Sequence, residues 1–126
     1  MTTLEVGKKL VELCNNGKNA EAMSTLYDPN IVSVEPVGSS AGQEPGTSQQ
    51  VQGIDAVREK SRWWIEHHTV HSEKAEGPFP HGDRFAVKFT FDVTDKDSNQ
   101  RMTIEETALY TVKNDKIVRE EFFYAT

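Results

Sequence analysis

One glutamate stands where the pattern of the sequence makes a carboxylate costly, and a second stands at the end of a strand. From Met102 to Val112, the residues Met102, Ile104, Glu106, Ala108, Tyr110 and Val112 alternate with Arg101, Thr103, Glu105, Thr107, Leu109 and Thr111, the period of a strand with one apolar face. Glu106 falls on that face. An ionised carboxylate there loses hydration, so it must find a partner or hold its proton more tightly, and either outcome makes it a candidate for acid/base work. Glu35 is the second candidate, near the end of the β-branched stretch Ile31 to Val37 and directly before Pro36. Two acids in unlike environments can divide the acid and base roles between them. The plainer readings are a structural ion pair for Glu106 and an ordinary rim carboxylate for Glu35.

Other groups could join them. If Asn114 and Asp115 form a two-residue turn, Val112 faces Ile117, Tyr110 faces Arg119, Ala108 faces Glu121 and Glu106 faces Phe123. Arg119 and Glu121 then share the face of Glu106, with Arg119 as counter-ion or ligand contact. His67, His68 and His71 spell H-H-x-x-H, with His81 further on. The run crosses from a helix end into a strand, so a zinc spacing does not hold and no metal is expected. His68 lies on an apolar helix stripe and His71 can look into the same cavity, where either could carry a proton near neutral pH. Trp63 and Trp64 cannot share one helix face; Trp64 lies on the stripe with Ile54, Val57, Ser61, Ile65 and His68. Phe89 and Tyr110, on the apolar faces of their strands, would add to the wall of a binding site. Cys14 reads as a buried thiol. Neither G-x-x-x-x-G-K nor G-x-G-x-x-G occurs, so a nucleotide role has no support.

The elements that must position these groups follow from periodicity. Apolar residues at helical spacing predict helices over Leu4 to Asn16, Asn19 to Tyr27 and Ile54 to His68. Strands are expected at Ile31 to Val37, Thr69 to Glu76, Arg84 to Thr94, Met102 to Val112 and Ile117 to Tyr124, with a turn from Gly77 to Gly82. Gly38 to Gly53 reads as a long loop, a lid or a disordered segment. Helices first and antiparallel strands after is an α+β order. The helices would cover the apolar face of a curled sheet and leave a pocket where they do not fill it. The other sheet face, with Leu109, Val118, Phe122 and Tyr124, would be covered by sheet-to-sheet homodimerisation. The 126 residues suit one domain, residues 1–126. A net charge of -6 argues against nucleic acid and anionic lipid as partners. One cysteine, and the lack of a signal-like or membrane-spanning apolar run, make the cytoplasm the expected location.

Several short motifs in this order resemble a known family. They are the helical pair with Gly17 after Asn15 and Asn16, D-P-N-x-V from Asp28, S-V-E-P-V-G at Ser33 to Gly38, G-I-D-A-V-R at Gly53 to Arg58 and N-D-K-I-V-R-E at Asn114 to Glu120. Together they resemble the SnoaL-like branch of the NTF2-like superfamily over almost the whole chain. The resemblance implies a cone in which three N-terminal helices pack on a curved, mostly antiparallel sheet. It also implies a homodimer across the open sheet face and an apolar pocket that members use as isomerases, cyclases, dehydratases or binding sites. Glu35-Pro36-Val37-Gly38 is similar to the general-base segment of ketosteroid isomerase, with Glu in place of Asp. That enzyme's oxyanion-hole positions correspond here to about Leu10 and to Thr107 or Ala108. Polyketide cyclases pair an acid with a histidine in the cone, matched here by Glu106 with His68 or His71.

Three functions stay open at this point, one of them a protein-interaction adaptor that would use the outer sheet face. The first is a cofactor-independent isomerase or cyclase of a small, apolar, carbonyl-bearing molecule. Glu35 or Glu106 would move a proton beside the carbonyl, and His71 or Tyr110 would donate to the enolate. The second is a non-catalytic ligand-binding or stress-related module using the same pocket. An unpaired Glu106 favours the first, and a Glu106 locked to Arg119 favours the second.

Overall fold

The structure, a computed structural model, describes residues 1–36 and 49–124. Helix α1 (Thr3–Asn15) starts at a capping box: Glu5 N donates to Thr2 Oγ1 at 3.1 Å and Thr2 N donates to Glu5 Oε1 at 3.0 Å, satisfying two amides the helix cannot. It ends where Lys18 N reaches Leu13 O and Gly17 N reaches Cys14 O. That closure puts Gly17 at φ +69°, a conformation glycine adopts without a Cβ penalty. Helix α2 (Asn19–Leu26) buries Ala22 and Leu26. Helix α3 (Ile54–His67) buries Val57.

The strands are β1 (Tyr27–Glu35), β2 (Gln49–Gln52), β3 (His68–His81), β4 (Arg84–Asp95), β5 (Gln100–Lys113) and β6 (Lys116–Phe123). They form one sheet in the order β2-β1-β6-β5-β4-β3, antiparallel except for the β1–β6 pair. Helix α3 touches β1 and β2 at one edge and β3 at the other. Six flat strands would span over ~20 Å against a helix ~10 Å across, so the sheet must curl around the helices. Val6, Leu10 and Cys14 of α1 join Phe85, Val87, Phe89, Ala108 and Tyr110 in the core inside that curl. Among the described residues, no helix is long and apolar enough to cross a membrane.

Four expectations about the elements need correction. Tyr27 opens β1 instead of closing α2, and strand β2 forms within the stretch expected to be a loop; residues 38–48 of that stretch, and Val37 at the end of the expected first strand, lie outside the described residues. The segment Gly77 to Gly82 is mostly strand: β3 continues to His81, with its register shifting between Glu76 and Phe79 and a cis bond joining Gly77 to Pro78. Ile65 is 56% exposed, off the buried stripe of α3.

The correction with most consequence lies in the last hairpin. Asn114 and Asp115, at φ +52° and +65°, make the expected two-residue turn, and Val112 pairs with Ile117 as expected. Thr111 then pairs with Arg119, leaving Val118 as an extra residue. A single-residue bulge reverses the facing of every side chain beyond it. Tyr110 therefore faces Glu120, and Ala108 faces Phe122. Arg119 and Glu121 do not share the face of Glu106 but turn to the opposite face, where Arg119 Nε donates to Glu121 Oε1 at 2.8 Å. Phe122 packs against the core and Tyr124 bonds to Glu35, so neither belongs to the outer patch expected for them.

One close approach makes a test of the packing. A Cβ on Gly7 would stand 2.7 Å from Pro78 Cβ and 2.9 Å from its Cγ. Gly7→Ala is expected to destabilise by about 1–2 kcal/mol, the clash outweighing the ~1 kcal/mol helical gain of alanine. The readout is a lower urea midpoint at unchanged slope. An unchanged midpoint would contradict this contact.

Candidate functional site

Period two from Ile31 carries β1 inward at Ile31, Ser33 and Glu35, and the bulge carries β6 inward at Glu120. A continuous hydrogen-bonded chain joins them. Tyr27 Oη and Ser33 Oγ donate to the two oxygens of Glu120, the second at 2.8 Å. Lys60 Nζ, from α3, donates to Ser33 Oγ at 2.6 Å and to Glu35 Oε1 at 2.9 Å. Tyr124 Oη donates to Glu35 Oε2 at 2.8 Å. Glu120 is 3% exposed. Burial raises its pKa, while the Tyr27 and Ser33 hydrogen bonds and the Lys60 charge pull the other way. The Lys60 and Glu35 side chains keep 20% and 14% of their exposure, so this end of the chain of groups reaches the surface.

Glu106 stands beside this chain without joining it. It pairs across the ladder with Phe89, and Ile104, one step along the same face, pairs with Phe91. Among the described residues no hydrogen bond or ion pair reaches its carboxylate, and burial first, then the charge of Glu35, lifts its pKa from 4.5 to about 7. Lys60 opposes the rise; Glu120 and Glu73 add to it. Glu73 is itself raised by burial and held by Asn19 Nδ2 at 3.1 Å. Aromatic groups, the buried Phe89 with the half-buried Phe91, Trp64 and Phe122, lie along this face: Phe91 stacks on Phe89, Trp64 tilts against Phe91 at 5.6 Å, and Lys60 Nζ sits 5.1 Å over the Phe122 ring. The result is a half-open, largely apolar end of the sheet around a carboxyl group that titrates near neutrality.

The other candidates are dispersed. Trp64 faces inward and stacks on His68 at 4.5 Å, and His68 Nδ1 is bonded to Trp64 O, so His68 closes the end of α3. Trp63 is 45% exposed and stacks on His67. His71 does not turn toward Glu106: it is exposed and bonded to Thr94 Oγ1 at 2.7 Å, where β3 changes register between Val70 and Ser72. Tyr110 is fully buried against Phe85, with its hydroxyl interacting with that of Tyr27. Phe89 is core as well as wall. No grouping of His, Cys, Asp and Glu among the described residues has the geometry to hold a metal ion. Two open grooves lie elsewhere, one along α1 at Glu5, Lys8 and Glu12 and one between α2 and α3 at Met23, Arg58 and Ile65. Neither is lined by Glu35, Glu106 or Glu120.

Sequence reasoning passed over Lys60, Ser33, Tyr27 and Glu120. Lys60 lies three residues after Val57 and four before Trp64, on the buried stripe, and Ser33 lies midway between Ile31 and Glu35. Both signals were present in the spacing. For Glu120 there was none, since the bulge at Val118 has no marker in the local sequence.

Burial also decides the reactivity of Cys14, whose thiol is pushed up to about 12 by desolvation. The native thiol is expected to resist iodoacetamide at pH 8 and to react fully once the chain is unfolded in urea. Fast labelling of the native protein would contradict the burial.

Known structures share this arrangement of strands and helices. A Mesorhizobium loti protein named both as a SnoaL-like polyketide cyclase and as a carbohydrate phosphatase is 42% identical, with 98% of this chain and 100% of that chain covered and a TM-score of 0.86. An NTF2-like protein from Burkholderia thailandensis shares the fold at 16% identity, covering 99% of this chain and 92% of its own, TM-score 0.82. A SnoaL-like polyketide cyclase, so named, from Jannaschia sp. CCS1 does so at 14%, covering 96% and 83%, TM-score 0.73. No curated protein matches the sequence. The sequence profile of the SnoaL-like domain matches residues 1–124. From the helical pair to the last strand, this chain belongs to the SnoaL-like family.

Proposed function

We propose that the protein is a cofactor-independent acid/base enzyme, isomerase-like or cyclase-like, acting on a small apolar molecule with a carbonyl group. The observation that carries the reading is Glu106: a carboxyl group with no hydrogen-bond partner among the described residues, walled by Phe89, Ile104 and Phe91, and titrating at about 7. A general base is most effective when its pKa lies near the working pH, where an appreciable fraction is ionised yet remains basic. The Glu106 carboxylate would take a proton from the carbon beside the carbonyl, leaving the C–H electron pair as an enolate. It would return the proton to the same carbon, or to another when the double bond shifts. Glu35, tied to Lys60 and Tyr124, is less available as a base; its charge helps hold the Glu106 proton, and the Lys60 ammonium offsets negative charge in the site. The relative from Mesorhizobium loti named as a polyketide cyclase adds support of its own kind.

A Glu106 locked to Arg119 would have favoured the alternative, a binding module without turnover; Arg119 is engaged with Glu121 instead. A homodimer remains part of the proposal. Its surface would be the outer sheet face with Leu109, Val118 and the 52% exposed Phe123, in place of the patch expected from sequence. The direct test is deuterium uptake at the activated carbons of 2-tetralone in D2O near neutrality. Catalysed uptake above the buffer rate is expected; binding without uptake would leave the binding-module reading in its place.

A further inference from the structure

The charge inventory of the half-open end bears on which ligands it can hold. Glu35, Glu106 and Glu120 converge there, and among the described residues Lys60 is the one cation that acts on them. Its ammonium is already committed, at 2.9 Å to Glu35 and 2.6 Å to Ser33. Tyr124 and Tyr27 spend their hydroxyl protons on Glu35 and Glu120. Residues 37–48 can supply no cation: V-G-S-S-A-G-Q-E-P-G-T-S contains no Lys, Arg or His. Even with a proton on Glu120, one Lys60 charge faces two carboxylates when Glu106 is ionised.

We propose that this end of the sheet selects by charge: it takes uncharged apolar ligands and rejects carboxylates and other anions. An anion entering between Phe91, Trp64 and Phe122 would leave water for a partly desolvated site where the local charge is negative and the one ammonium acting there, among the described residues, is paired with Glu35. Desolvation and repulsion act in the same direction. A ketone of the same shape loses little hydration and meets the same aromatic walls. The inference rests on the reading of this end as the ligand site, and it adds the substrate class.

The test uses the full chain at pH 8 and two fluorescent probes of one shape, 2-acetylnaphthalene and 2-naphthoate, titrated against the protein. The ketone is expected to bind about tenfold or more tightly than the carboxylate. In Glu106→Gln, which removes one negative charge, that ratio is expected to shrink severalfold through a gain in naphthoate affinity. Equal or tighter naphthoate binding by the unmodified chain would overturn charge selection while leaving the site in place. Saturable binding of neither probe would overturn the site as well.

Discussion

Glu106→Gln is expected to lower catalysed proton exchange by about 10²–10⁴-fold, the usual contribution of a positioned general base. The same substitution is expected to make the protein more stable at pH 8. The sign follows from the direction of the shift. The folded-state pKa, about 7, lies above the ordinary 4.5, so between those values the folded state binds more protons than the unfolded state. Stability therefore falls as pH rises through that window. Below about pH 4.5 the carboxyl is neutral in both states and costs nothing. Above about pH 7 it is ionised in both, and the full cost, on the order of 3 kcal/mol, is present. Glutamine carries no such charge at any pH. Urea denaturation of the two proteins at pH 4.5 and pH 8 should thus give similar midpoints at the first pH and a higher midpoint for the variant at the second. A residue that costs stability in its ionised form and supports activity in the same form is the pattern expected of a functional carboxylate.

Lys60→Met should have the opposite effect on stability and a different effect on activity. Methionine keeps much of the apolar stem that lies against Phe122 but removes the charge from Glu35 and the donor from Ser33. Breaking a mostly buried pair leaves the remaining carboxylate uncompensated, and both side chains keep some exposure, so a loss of about 2 kcal/mol at pH 8 is expected. The Lys60 charge also limits the rise of the Glu106 pKa and, with the Tyr27 and Ser33 hydrogen bonds, that of Glu120. Its removal should move the pH profile of proton exchange toward alkaline values, because the base ionises later. A purely structural lysine would lower stability without moving the profile, so the two measurements together separate the roles.

How far the sequence reveals this site depends on how each residue was placed. Glu106 was legible because strict alternation over eleven residues left one charged residue among apolar ones. Helices α1 and α3 were legible because their apolar stripes are long enough to set a phase. Glu35 was found through its position before Pro36, but its partner Lys60 was not, since a lysine on a helix reads as solvated even when its stem runs along apolar surface. The pairing beyond Val112 was lost to one inserted residue, Val118, and with it the placement of Glu120, Arg119, Glu121, Phe122 and Tyr124. His71 was misplaced at a similar shift of register, between Val70 and Ser72. Bulges depend on how two strands twist together, a property of the pair that neither segment carries alone.

The central claim is that an apolar enclosure, assisted by the charge of Glu35, holds the Glu106 proton to near neutrality. A ¹³C NMR titration of the glutamate side-chain carboxyl carbons, with Glu106→Gln to identify the resonance, measures this directly. The account predicts a single carboxyl midpoint lost in the variant and lying near pH 7, well above the exposed glutamates. A Glu106 resonance that titrates near 4.5 with those exposed glutamates would contradict it.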